Sequence, residues 1–261
     1  MKGQDIVILL RLASLFDLQR EEGLMGVLRS LLPPQHQKKV ECEQMRAKLV
    51  AALSGSAGQQ YTGSLDELFD YRAWEPIKRA LKGTNVRIID PFSVRGLEKV
   101  LHISKSEINA SLKRCMDCGL ATIDRRTNLP RPIWRNLEEF IIHGLKYVFP
   151  AKPGTIGRGT PTSFFAPPLK NEVISAGAYD YVWPSPEGKH VGLTIEPLFK
   201  TVPKAVEWDR RLYEYLALVD AIRLGNPREA GRAKELLSKR LNRHDQPAAG
   251  RNVEDSRLGS R

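Results

Sequence analysis

The chain has 261 residues, with 41 Lys and Arg against 30 Asp and Glu for a formal charge of +11; 41% of residues are hydrophobic and 7% aromatic. This mixture excludes a wholly disordered or collagen-like chain, and the length allows two domains or one domain with appendages. No apolar run reaches the ~20 residues of a membrane span. The three cysteines (Cys42, Cys115, Cys118) are too few for a disulfide framework, so a reducing cytoplasm is expected.

The first fifteen residues carry an apolar run, Ile6 to Leu10, but Arg11 and Asp17 follow at once, which suits a buried helix better than a signal peptide. Ile6, Leu9, Leu10, Ala13 and Phe16 give helical spacing over 4–16. A second helix is predicted over 18–32, stopped by Pro33-Pro34, and a third over 37–53. Ser54 to Gly58 reads as a loop, Ser64-Leu65-Asp66-Glu67 as a capping box, and 74–82 as a short helix closed at Gly83. There is no internal repeat.

Residues 93–135 hold nine basic and four acidic side chains, so +5 of the +11 lies in 43 residues. Ser93 is placed to cap a helix over 94–100, with Leu97, Val100 and Leu101 inward. His102-Ile103 makes a turn, and Ser104-Lys105-Ser106-Glu107 is a second capping box. It opens a helix with Ile108, Leu112, Cys115 and Met116 on the buried side, and Gly119 ends it. Two short helices, a tight turn and an amphipathic second helix are the parts of a helix-turn-helix, whose second helix enters the major groove. Lys105, Ser106, Asn109, Lys113 and Arg114 fall off the apolar side. Ser106 and Asn109 suit base edges, and the cations suit phosphates. Leu120 to Asp124 and Arg131 to Trp134 then pair as a hairpin, a wing with Arg125 and Arg126 at its tip and Arg131 nearby.

Asn136 to Val148 reads as a helix with Leu137, Phe140, Ile141, Leu145 and Val148 on one face. From Phe149 to Pro203, which holds more than half of the 17 prolines, only short strands such as 181–183 and 191–195 are expected. Helices over 205–224 and 227–241 flank Gly225-Asn226-Pro227, and 242–261 reads as a disordered tail. Val206, Leu212, Leu216, Val219 and Ile222 form a stripe that packs internally or closes a dimer.

Other constellations favour bland readings. Cys115-Met116-Asp117-Cys118 lacks the further ligands of a zinc site, and Cys115 lines up with the packing residues Ile108 and Leu112. Gly154 to Gly159 reads as a turn-rich surface loop, since no strand precedes it and no helix follows, although Arg158 could touch DNA backbone or a partner. His143 is expected to be buried and bonded to backbone. Glu138-Glu139 do not share a face, and Glu196, Asp209 and Asp220 are too scattered for a nuclease. Trp183, Trp208, Tyr213 and Tyr215 are expected in the core, with a protein-contact patch as the alternative. No cofactor, metal or enzyme activity is predicted.

Phe92 to Trp134, above all Ile103-Ser104-Lys105-Ser106-Glu107-Ile108 through Gly119-Leu120, resembles the MarR-like winged helix-turn-helix transcription regulators of bacteria. Lys2 to Val7, His143 to Pro150, Arg158 to Thr162 and Ala166 to Leu169 resemble a narrower bacterial group with a Pro-rich C-terminal region, found near toxin–antitoxin or phage-defence loci. The helix-turn-helix with its wing leads to the expectation of a transcriptional regulator that binds double-stranded DNA sequence-specifically, with a homodimer on two half-sites as the default. One departure is the 75 residues of 17–91 between the first helix and the helix-turn-helix, which read as a helical insertion for dimerisation or a partner.

The expected architecture is therefore mainly α with small β. Residues 1–16 give the first helix of a winged-helix domain, 17–91 the insertion, and 92–148 the winged helix-turn-helix core with its following helix. Residues 149–241 give the Pro/Gly-rich and helical region, and 242–261 the tail. The alternative function is an interaction module, antitoxin-like or part of a defence complex, that binds a protein from a neighbouring gene through the same fold.

Overall fold

The computed structural model describes residues 1–32, 89–125, 128–170 and 179–244. The helices expected over 37–53 and 74–82, the 54–58 loop and the 64–67 capping box lie outside them, as do Arg126 and the tail beyond residue 244. The described chain is mainly helical with two small groups of strands.

Helix α1 (Gly3–Arg29) is capped through Asp5, whose carboxylate accepts the Lys2 amide at 2.7 Å. The expected separate helices at 4–16 and 18–32 are joined. The break falls at Gly23 instead, where φ of 63° and ψ of −157° interrupt the helical path. No side-chain breaker stands near residue 17, whereas glycine tolerates positive φ. Helix α2 (Val94–Leu101) and helix α3 (Lys105–Asp117) follow, then an antiparallel hairpin of β1 (Ala121–Ile123) and β2 (Pro130–Pro132), with Thr122 opposite Arg131.

Helix α4 (Trp134–Glu139) runs through a π-helical turn (Phe140–Gly144) into α5 (Leu145–Val148). Leu137, Ile141 and Leu145 are buried as expected, but Phe140 is only partly covered and Val148 is exposed. The wider π turn rotates the later residues off a single 3.6-residue stripe. Strand β3 (Pro153–Pro161) runs through the segment expected to be a turn-rich loop. It pairs antiparallel with β4 (Tyr181–Pro184) and with β5 (His190–Ile195), and β4 and β5 pair in parallel, so the three strands close on one another. The glycines serve that closure. A Cβ at Gly159 would stand 1.9 Å from the Trp183 carbonyl oxygen.

The helix expected over 205–224 is two: α6 (Val202–Trp208) and α7 (Arg210–Leu224). Asp209 divides them, extended at φ −140° and ψ 101°, and its carboxylate accepts the Arg211 and Leu212 amides as the cap of α7. Gly225 ends α7 in the left-handed region, and α8 (Pro227–Leu241) begins with proline at its first position. Asn242–His244 form a final 3-10 turn, so the first residues of the expected tail are ordered. The His244 ring stacks on Trp134 at 4.1 Å.

One hydrophobic core joins α1, α2, α3, α4, α6, α7 and α8. Val206, Leu212, Leu216, Val219 and Ile222 are all buried in it, which resolves the C-terminal stripe as internal packing. Among the described residues, no helix is long and apolar enough to cross a membrane.

Candidate nucleic-acid interface

The segment richest in positive charge folds as helix, turn, helix and hairpin, with each helix start set by a serine. Ser93 Oγ accepts the Gly96 amide at 3.2 Å and donates to the Asp90 carbonyl at 2.6 Å. Helix α2 ends at His102 in the left-handed region with φ of 53°. The Leu101 carbonyl accepts a hydrogen bond from Thr201 Oγ1 at 2.6 Å, and the His102 ring meets Trp208 edge-on at 6.0 Å. The C-terminal half of the chain therefore braces the turn. Ser104 Oγ, accepting the Glu107 amide, caps α3.

Helix α3 buries Ile108, Ser111, Leu112 and Cys115 and turns Lys105, Ser106, Asn109 and Lys113 to the surface. Lys105 lies 3.5 Å from Glu98 and Ser106 3.1 Å from Ser104, both exposed contacts of the kind that exchange readily with water or a ligand. Two expectations fail on this helix. Met116 is exposed, because the buried side is centred on Ser111 and Cys115 rather than on the next residue round. Arg114 does not stand outward with Lys113. Its Nη2 and Nε donate to the two carboxylate oxygens of Asp5 at 2.6 and 3.1 Å.

Asp5 also accepts from Ser111 Oγ, while Gln4 donates to Glu107 at 2.6 Å and Lys2 lies 3.6 Å from Glu107. The N-terminus of α1 thus grips α3 along its inner edge. Burial raises the Asp5 pKa, but the hydrogen bonds from Arg114, Ser111 and the Lys2 amide, with the Arg114 charge, bring it below the ordinary carboxylate range. Sequence reasoning assigns no site role to Asp5 or Gln4; beyond the resemblance of Lys2 to Val7, their one mark is polarity at the head of a helix otherwise read for its apolar spacing.

At the hairpin, Arg125 is exposed, and Arg131 is partly buried on β2 with its guanidinium 3.7 Å from Asp124. The loop between the strands is closed by Asp124 and Leu129 at 3.0 Å, and Asn128 takes a left-handed conformation. The exposed cations Lys105, Lys113 and Arg125 thus come from one helix and the hairpin that follows it, with the amide of Asn109 and the hydroxyl of Ser106 beside them on α3. Such a surface can meet phosphate oxygens with its cations and hydrogen-bonding groups with its neutral side chains.

The other candidates divide cleanly. Burial pushes the Cys115 thiol up to about 12, whereas Cys118 is exposed and donates to the Cys115 carbonyl at 3.5 Å. Among the described residues no group of three or more His, Cys, Asp and Glu is placed to hold a metal ion. His143 is exposed, not buried, because it stands two residues from both Ile141 and Leu145 and so on the opposite side of the helix. Glu139 pairs with Arg135. Arg158 is exposed on β3.

Asp209 and Asp220 occupy separate buried networks. Asp209 accepts from Arg11 and Ser14. Asp220 accepts from Arg223 at 2.6 Å and Thr162 at 2.9 Å, and also from the Trp183 indole. Burial pushes the Asp220 carboxyl up against the opposing pull of Arg223, Thr162 and Trp183. Trp183 and Tyr215 are core residues, and the Tyr213 hydroxyl donates to the Pro161 carbonyl at 2.9 Å.

No family profile, curated protein or solved structure matches the chain.

Proposed function

We propose that the protein is a sequence-specific regulator that binds double-stranded DNA through a winged helix-turn-helix, with α3 as the reading helix and the β1–β2 hairpin as the wing. The observation that carries this reading is the exposed side of α3. Lys105, Ser106, Asn109 and Lys113 face outward on a helix fixed from behind, and a hairpin with an exposed arginine follows directly. A rigid helix with cations at its rim and short hydrogen-bonding side chains near its N-terminus suits a major groove. A homodimer on two half-sites is the assembly that such a reader uses most often. Control of a toxin–antitoxin or phage-defence locus follows only from the family resemblance.

The test is duplex affinity against salt, using DNA recovered with the protein from its own genome and a random duplex of equal length. Lys113→Ala should weaken both and flatten the slope of log affinity against log salt by about one. Asn109→Ala should alter the preferred sequence and leave the slope unchanged. If neither duplex is bound at low salt while a neighbouring gene product co-purifies, the fold is an interaction module and the DNA reading fails.

A further inference from the structure

We propose that Arg114 positions the reading helix and contacts no DNA: clamped by Asp5, it sets the rotation of α3 about its axis and so decides which edges Ser106 and Asn109 meet. The inference rests on the DNA reading above. On sequence spacing alone Arg114 would be one more phosphate contact, adjacent to Lys113.

The geometry assigns it otherwise. The guanidinium presents both Nε and Nη2 to the two oxygens of one carboxylate, the parallel fork that gives an arginine–carboxylate pair its directional preference. Asp5 is fully buried, so releasing Arg114 to a phosphate would leave a buried carboxylate without its charge partner. The same Nη2 also donates to Ser111 Oγ at 2.9 Å, and Ser111 in turn donates to Asp5. Three side chains from two helices therefore close on each other.

The clamp joins Arg114 in the last turn of α3 and Ser111 one turn before it, and the Gln4–Glu107 bond lies in the first turn. Two fixed points along one edge determine how a helix is turned about its axis. Lys113, next in sequence and without such a partner among the described residues, is the phosphate ligand of the pair. A lysine in place of Arg114 would keep the charge but not the fork.

Duplex binding by purified full-length variants decides the matter, read as the ratio of affinities for the recovered site and a random duplex, together with the salt slope on the random duplex. Arg114→Lys should lower the ratio about tenfold with the slope unchanged. Asp5→Asn should do the same, and the two changes together should cost no more than either alone. Arg114→Ala should also keep the slope.

A phosphate contact predicts the opposite: Arg114→Lys close to wild type, a slope flatter by about one in Arg114→Ala, and tighter random-duplex binding in Asp5→Asn. Any of these results overturns the assignment while leaving the DNA reading intact. Absence of salt-dependent duplex binding in the unmodified protein removes both. Should Asp5→Asn fail to fold, Arg114→Lys carries the decision, because it alters only a partly exposed side chain.

Discussion

Arg11 and Asp17 interrupt the apolar N-terminal run, and each has a tertiary partner almost two hundred residues away. Arg11 is fully buried, ion-paired with Asp209 and donating to Ser30 Oγ at 2.8 Å, while Asp17 accepts the Tyr215 hydroxyl at 2.7 Å. Asp209 also caps α7, so one carboxylate satisfies a helix end and a buried guanidinium together. Asp209→Asn keeps the cap's shape but leaves the Arg11 charge uncompensated. It should cost about 3–5 kcal/mol in urea unfolding. Asp5 gives a pH dependence of known sign. Its pKa in the fold lies below the ordinary 3.8, so the stability it contributes is fully present above that value and is lost as acid protonates the folded carboxylate. The difference in unfolding free energy between wild type and Asp5→Asn should therefore hold from about pH 7 to about pH 5 and shrink below about pH 4.

At the level of elements, two glycines in the C-terminal half test different physics. Gly225 ends α7 at φ of 76°, and a Cβ there would meet no atom within 4 Å, so Gly225→Ala carries only backbone strain, about 1 kcal/mol. Gly159 sits where β3 meets both β4 and β5, and a Cβ would overlap the Trp183 carbonyl. Gly159→Ala should cost about 3 kcal/mol, because the strand closure itself must shift. Thermal unfolding of the two variants side by side gives the comparison. The boundaries of α2 and α3 belong to the same scale. The caps of α2 at Ser93 and of α3 at Ser104 are local and legible from spacing, whereas the partner of Arg114 lies on α1, 109 residues earlier, and is not.

For the molecule as a whole, α2, α3 and the C-terminal helices share one core. Helix α1 packs on α3 with one part of its surface and on α7 with another, and Arg223 ties the end of α7 to the Phe149 carbonyl at 2.8 Å. Thr201 and Trp208 brace the turn before α3. A chain ended after Val148 would expose the side of α1 that α7 covers and leave Arg11 without Asp209. It should show neither cooperative unfolding nor the near-ultraviolet circular dichroism of the full chain.

What the sequence determined by itself is the local part: helix starts at Ser93 and Ser104, the stop at Gly119, the hairpin after it, and the concentration of charge in 93–135. Each depends on neighbours a few residues away, where a side-chain cap or an apolar period is decisive. Only the tertiary structure decided the rest. The division of one expected helix at Asp209, the strand at Gly154 to Gly159 and the capture of Arg114 all turn on partners distant along the chain. Burial makes those partnerships strong, since a charge or a backbone amide removed from water is stable only beside its complement.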